Sequence, residues 1–302
     1  MRLFEFHDLG WFPVVLRDGI TECLRLYAEQ IGLEKVIAPL LAEVVQTTGI
    51  RRIVDLCSGS CGPILPVVEW LADTGMPVDV VATDKYPNAV AFRRVESLSG
   101  GRVHGCPEAV DATRVPESLS GIRTVFNAFH HFDPDAARAM LGDAGRKRQP
   151  IAIFEITDRS TWQALATLPG SFLLMFALVP RMRPRRWAHW VFTYLLPVLP
   201  LAFAWDGFVS CLRSYNKREL TEMSRSVPAD YVWTFRRAAA PGAPIRLTCF
   251  IGIPKQTASA RVPTDHRTSI RRERSKTRPS CGNGPLPIIP ERTAGACPRE
   301  GL

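Results

Sequence analysis

Short apolar runs of strand length alternate with segments of helical period between residues 50 and 157. "RRIVDLC" (51–57), "VDVVATD" (78–84), "IRTVFNAF" (122–129) and "IAIFEIT" (151–157) are rich in β-branched residues, and each stops where polar or small residues begin; such runs predict buried parallel strands. A shorter strand is expected near "GRVHGC" (101–106). Between them, "GPILPVVEWLADTG" (62–75), "NAVAFRRVESLSGG" (88–101) and "DPDAARAMLGDAG" (133–145) carry helix-start residues and stop at glycine. In the last, Asp133 is placed to cap and Pro134 opens the first turn. This alternation predicts an α/β fold, a sheet with helices on both faces. "YVWTFRRA" (231–238) and "PIRLTCFIGIP" (244–254) read as a closing pair of strands.

Two regions depart from that rhythm. An apolar helical insertion after the fifth strand, 164–207, is hydrophobic on all sides. Its first run, 171–180, reads as too short to cross a bilayer, whereas 187–205 holds 19 residues with no formal charge, His189 being neutral, close to the ~20 a crossing needs. Pro197 and Pro200 interrupt that second run, and sheet strands on both sides must share one compartment, so a single crossing is excluded. Three readings remain: a hairpin dipping into one leaflet with "RMRPRRW" at the headgroups, a lid over an apolar substrate, or a buried helical insertion without a ligand role. The opening 1–49 reads as an N-terminal helical cap, with Phe4, Phe6, Trp11 and Phe12 ahead of an amphipathic helix.

Composition sharpens this outline in two places. The net charge of +9 is uneven: residues 255–302 carry ten Lys or Arg against four acids, which leaves +3 for the first 254. That stretch is rich in Pro, Ser, Thr and Arg and reads as a disordered basic tail; specific nucleic-acid binding is not expected. The eight cysteines are scattered singly through 302 residues, and the opening lacks a signal-peptide pattern, so a cytoplasmic chain with free thiols is expected.

The candidate chemistry begins at "IVDLCSGSCGP" (53–63). A strand ending at Asp55, a small-residue turn and a helix place backbone amides and a helix N-terminus at the carboxyl edge of the sheet. The dinucleotide fingerprint would need Gly at 59, 61 and 64, but Cys61 and Ile64 stand at the last two. Three residues, not two, separate Cys57 from Cys61, and no further thiol or imidazole ligands lie nearby. They read as packing residues, not a redox pair or a metal site. The next strand ends in "ATDKYPNA", where Asp84 can accept both hydroxyls of a ribose. "EAVDATRVP" with Asp111 and "FNAFHHFDPD" follow.

Taken in order and spacing, "VDLCSGSCGP", "ATDKYPNA", "VDATRVP" and "TVFNAFHHFDPD" resemble the motif series of class I S-adenosylmethionine-dependent methyltransferases. The resemblance is strong over about 50–160 and extends weakly to 254. It implies a Rossmann-like seven-stranded sheet with S-adenosylmethionine as cofactor. Gly59 and Gly62 would lie under its methionine part, Asp84 on ribose and Asp111 near adenine, with Asp55, Ser58, Lys85, Ala112 and Asn127 completing the pocket. Cys57 and Cys61 replace the first and third glycines of the family's turn.

Methyl transfer asks for alignment and, where needed, removal of a proton. His130 and His131, after Phe129 at the fourth strand's tip, are the candidate bases, and opposite pointing of neighbours predicts that one of them faces the ligand. Glu155 and Asp158 are secondary candidates for binding or orienting substrate. The expected acceptor is a small, apolar molecule bearing a hydroxyl or amine, with peripheral contact to the cytoplasmic face of a membrane through 171–205. The competing reading is a non-catalytic membrane-associated protein that keeps this fold.

Overall fold

The computed structural model describes residues 3–228 and 230–255; the expected basic tail lies outside the described residues. Two helices, α1 (Val14–Gln30) and α2 (Glu34–Thr48), precede the alternation β1 (Arg52–Leu56), α3 (Ile64–Asp73), β2 (Asp79–Ala82), α4 (Ala89–Leu98), β3 (Val103–Gly105) and β4 (Ile122–Phe126). After β4 come a 3-10 turn (Phe129–His131), α5 (Pro134–Arg146) and β5 (Ile151–Glu155). The insertion contributes α6 (Thr161–Leu178), a short α7 (Trp187–Trp190) and α8 (Val198–Arg213); α9 (Lys217–Ser224), β6 (Tyr231–Ala239) and β7 (Arg246–Pro254) finish the fold.

The strands form one seven-stranded sheet in the order β3-β2-β1-β4-β5-β7-β6. Parallel pairing runs from β3 to β5, and β7 is antiparallel to both β5 and β6. Alternation along each strand divides the core between two faces. Ile53, Val80, Ala152 and Phe154 pack under α2 and α3 on one side, while Val54, Leu56, Ile151 and Ile153 meet α5 and α9 on the other. Both faces being buried explains why these strands read as unbroken apolar runs rather than as alternating ones.

Helix starts follow the expected chemistry. Asn88 accepts from the Ala91 amide, and Asp133 accepts from the amides of Asp135 and Ala136. The strand ends differ more: β4 stops at Phe126 rather than 129, because Asn127 adopts φ 48° and turns the chain out of the sheet.

The insertion corrects its sequence reading. Its first helix begins at Thr161 instead of 171, capped by Ser160, and with the turn that follows reaches Arg181, 21 residues and long enough by length and composition to cross a bilayer. Residues 161–170 are uncharged but mix Thr161, Gln163, Thr167, Pro169 and Gly170 with the apolar ones, which hid them from a reading by apolarity alone. The second run is not straight: Trp187–Leu195 and Val198–Arg213 meet at 80°, with Pro197 in the break. Both arms pack against α1 through a third cluster that includes Phe12, Leu16, Met175, Leu178, Leu199 and Phe203.

Candidate active site

Strand register brings the tips together. Asp55 pairs with Ala82 on β2 and with Thr124 on β4, and Ala82 pairs with Gly105 on β3, so the chain leaves these strands along one edge. A cavity of about 1200 Å³ opens there, walled by Ser58, Gly59 and Gly62 of the first turn and by Asp84, Lys85, Asp111 and Asn127. His130 and His131 line the same cavity, as do α1, α6 and α8.

The first turn is held from inside. Asp55 is 1% exposed, and its carboxylate accepts from the Ser58 hydroxyl at 2.6 Å and the Thr124 hydroxyl at 2.7 Å. Burial, opposed by those two hydroxyls, pushes its pKa up to about 7. Asp55 therefore braces the turn from the core and does not reach the cavity wall, contrary to its expected cofactor contact; its register opposite Thr124 turns it inward. Ala112 is likewise drawn away, packed with Val110 and Val115 in the apolar cluster.

Cys57 and Cys61 take φ of 58° and 66°, left-handed values that favour glycine. The two cysteines thus stand in backbone conformations that glycine would adopt without strain. Burial pushes the Cys57 thiol up, and the carboxylates of Asp84, Asp55 and Asp111 push the same way, so it stays protonated and a poor nucleophile or metal ligand. Gly59, at φ 50°, lies against α1: an added Cβ would meet Thr21 Cγ2 at 3.1 Å, and the Thr21 and Ser60 hydroxyls are 2.8 Å apart.

Asp84 accepts from the Gly59 amide at 2.8 Å through one oxygen and from the Tyr86 amide at 2.8 Å through the other. Burial pushes its carboxyl up, against those two amides. A carboxylate has about four acceptor positions, so two remain for ligand hydroxyls. Asp111 is exposed, and its Oδ1 accepts from the amide and hydroxyl of Thr113. An acid just past the tip of β2, a second on the loop after β3 and a small-residue turn that lets ligand approach the backbone fit a nucleoside-bearing cofactor.

The histidines differ from expectation. Both line the cavity, their ring centroids 4.5 Å apart, because they lie on a 3-10 turn, where the alternation of a strand does not apply. His130 is 1% exposed; its Nδ1 donates to Glu155 Oε2 at 2.6 Å, and Glu155 Oε1 accepts from the Phe129 amide at 2.7 Å. Glu155 therefore orients His130 and does not face substrate. Asp158 lines the cavity and pairs with Arg237 at 2.6 Å.

His131 donates to Asp8 at 2.7 Å and lies 3.5 Å from Glu5. Burial disfavours its charge, but Glu5 and Asp8 outweigh that and raise it to about 9. It is thus cationic at neutral pH and holds its proton.

Sequence reasoning missed the N-terminal half of this network. Glu5, His7 and Asp8 come from the cap segment, and Arg213 from α8 bonds Glu5 at 2.9 Å and Asp8 at 2.7 Å. Asp206 of α8 accepts from the amides of Phe6 and His7, and burial, against the Phe6 amide, raises it to about 7. Burial, reinforced by the charge of His131, lowers His7 to about 3. Glu5, His130 and His131 offer ligand atoms within 4.8 Å of one another. Arg213 and the cationic His131 already supply positive charge there, so a metal ion would have to displace them. Partners separated by some 200 positions leave no local signal in the chain.

No model of a known protein family matches this chain, and no curated protein matches it. Solved structures that do match include the citrinin polyketide synthase CMeT domain, at 16% identity and TM-score 0.44, covering 74% of this chain and 53% of that one. Others are the methyltransferase domain of bacterial CtHen1-CN (10%, TM-score 0.41, 73% of this chain and 98% of that one) and PigF with SAH (17%, TM-score 0.42, 73% and 56%). The chain spans about half the length of the first and third of these, and no activity is carried over from likenesses of this size. The decisive observation is the chain's own sheet: five parallel strands with β1 at the centre of β3-β2-β1-β4-β5, and β7 inserted antiparallel between β5 and β6. The fold is that of the class I methyltransferases.

Proposed function

We propose that this chain transfers the methyl group of S-adenosylmethionine to a small, largely apolar molecule presenting a hydroxyl or amine. The observation that carries the reading is the continuity of one cavity. It joins the Gly59, Asp84 and Asp111 end of the sheet to the His130–Glu155 pair and then to an apolar wall that includes Leu174 and Phe203. Its volume exceeds the ~300–1,000 Å³ usual for a single small ligand, which leaves room for cofactor and acceptor together.

When bound, the cofactor supplies a methyl group already activated on a sulfonium. The chain's own residues do the rest. Asp84 and Asp111 would hold the nucleoside, with Lys85 and Asn127 beside them and the 58–62 backbone against the remaining part. With Nδ1 donating to Glu155, His130 presents Nε2 as its proton acceptor, the tautomer following from that hydrogen bond. Glu155 steadies the imidazolium that forms when the acceptor's proton is taken. Cationic His131 favours an anionic oxygen developing nearby. The apolar wall excludes water and aligns the acceptor.

Isothermal titration with S-adenosylmethionine, followed by incubation of protein and methyl-labelled cofactor with an organic extract of the native cells, tests the reading. Micromolar binding and label in an apolar product are expected. Label confined to polar products would overturn the acceptor class alone. Absence of cofactor binding would overturn the enzyme and favour a membrane-associated protein that keeps this fold without catalysis.

A further inference from the structure

The two surfaces of α6 differ in what they meet. One side closes the cavity with Gln163, Thr167, Ser171 and Leu174. The other exposes Leu165, Pro169, Leu173 and Ala177, a stripe at helical spacing with no charge in it. Trp162, Ala166 and Gly170, four residues apart in turn, are both exposed and cavity-lining. One part of the cavity rim therefore runs along the border of the apolar stripe, while Lys85, Asp111, Asp133 and Arg237, also exposed and cavity-lining, form a polar part of the rim.

The second arm continues the same character. Trp187, Leu195 and Leu201 are 75%, 74% and 58% exposed, a density of bare large apolar side chains that soluble surfaces seldom carry without a partner. Between the two arms lies the basic stretch Arg181, Arg183, Arg185 and Arg186. Arg186 pairs with Asp18 at 3.1 Å, while Arg181 and Arg185 are exposed. Apolar side chains flanked by tryptophans and arginines match the depth profile of a lipid interface, with rings at headgroup level and cations on anionic phosphates. Crossing is not implied: α6 keeps one side on the cavity through Gln163, Thr167, Ser171 and Leu174, and α8 is bent away by 80° from the segment before it and is tied to the domain through Asp206 and Arg213.

We propose that the outer surface of α6 and of the α7–α8 arm rests on an anionic phospholipid bilayer, and that the lipophilic acceptor enters the cavity sideways from that bilayer between Trp162 and Gly170. The entry route rests on the methyl-transfer reading; the docking does not. An acceptor taken from lipid by this route never crosses water, because this part of the rim would face its reservoir. The insertion then serves as lid on its inner side and as membrane contact on its outer side, two roles that its sequence offered only as alternatives.

Flotation of the full chain with vesicles of phosphatidylglycerol and phosphatidylcholine, against vesicles of phosphatidylcholine alone, tests the docking. The wild type should float with the anionic vesicles. Leu173→Glu with Leu195→Glu, both outside the cavity, should reduce the bound fraction at least tenfold while leaving calorimetric binding of S-adenosylmethionine unchanged. Arg181→Gln with Arg185→Gln should weaken binding to the anionic vesicles about 25-fold, at roughly fivefold per arginine. Gly170→Trp, whose added Cβ meets nothing within 4 Å, should keep flotation and cofactor binding but lower transfer to a vesicle-borne acceptor. Flotation that survives the double glutamate variant would put the attraction elsewhere in the chain and overturn the docking. So would a wild type that ignores both vesicles but sediments as a dimer that the same variant dissociates. Loss of cofactor binding in the wild type would instead strike at the methyl-transfer reading and leave the flotation result standing.

Discussion

Replacing Asp84 by Asn isolates the cofactor half of the site. In the folded chain the carboxylate receives the Gly59 and Tyr86 amides, both at 2.8 Å, and keeps two acceptor positions toward the cavity. A hydrogen bond to a charged group contributes about 1.5–3 kcal/mol, against about 1 for a neutral pair. Turning two ribose contacts from charged to neutral should therefore cost about 1–4 kcal/mol, with a central expectation of ~2, or roughly 30-fold in Kd. The fold should survive the change. The new amide would oppose one of the two backbone donors at about 1–3 kcal/mol, but burial already penalises the ionised carboxyl, and the neutral side chain escapes that penalty. Titration calorimetry with S-adenosylmethionine, beside a urea melt of the same variant, reads both quantities. Asp111→Asn is the comparison: its carboxylate is exposed and shared with Thr113, so a loss of no more than about fivefold is expected. Wild-type affinity should also weaken as pH falls through the raised pKa of Asp84, because the ionised form is the one that binds. A cooperative, folded Asp84→Asn protein that binds within about threefold of wild type would refute the reasoning and reduce Asp84 to a brace for the turn.

Three further expectations concern the rest of the molecule. His130→Gln should lower the methyl-transfer rate about 10²–10⁴-fold with cofactor Kd unchanged, and Glu155→Gln should follow it in direction; an equal loss of cofactor affinity would contradict the separation of the two halves. His131 is raised from 6.5 to about 9, so its contribution to stability is full below pH 6.5 and is lost as pH rises through 9. Discounted for its one-fifth exposure, that is about 1–3 kcal/mol, and thermal melts of wild type against His131→Gln across this window should converge as pH rises, a constant difference counting against the reading. Arg123 is wholly buried beside Asp143 at 2.8 Å, so Asp143→Ala should cost about 3–5 kcal/mol in urea unfolding; a loss below about 1 kcal/mol would show that the guanidinium finds other company.

The alternation of apolar runs and helical segments, with its caps at Asn88 and Asp133, fixed the sheet and its crossover helices in advance, because strand burial and helix capping are local and short in range. The acid at 84 was legible for the same reason, since a strand's end and the acid after it are neighbours in the chain, whereas Asp111 lies on the loop beyond β3 and reaches the cavity only through the fold. What the residues could not show is which side of a strand or turn each group faces. Asp55 looked like a ligand contact and is a core brace, since only the pairing with β4 turns it toward Thr124. His130 and His131 looked opposed and share a cavity, since Asn127 ends the strand before them. The N-terminal acids and Arg213 meet across the length of the chain, and the cavity-lining and exposed apolar sides of α6 separate only once it has a domain behind it. Local order is written in local chemistry; the site is decided by packing, which places residues by the burial they share and not by their distance in sequence.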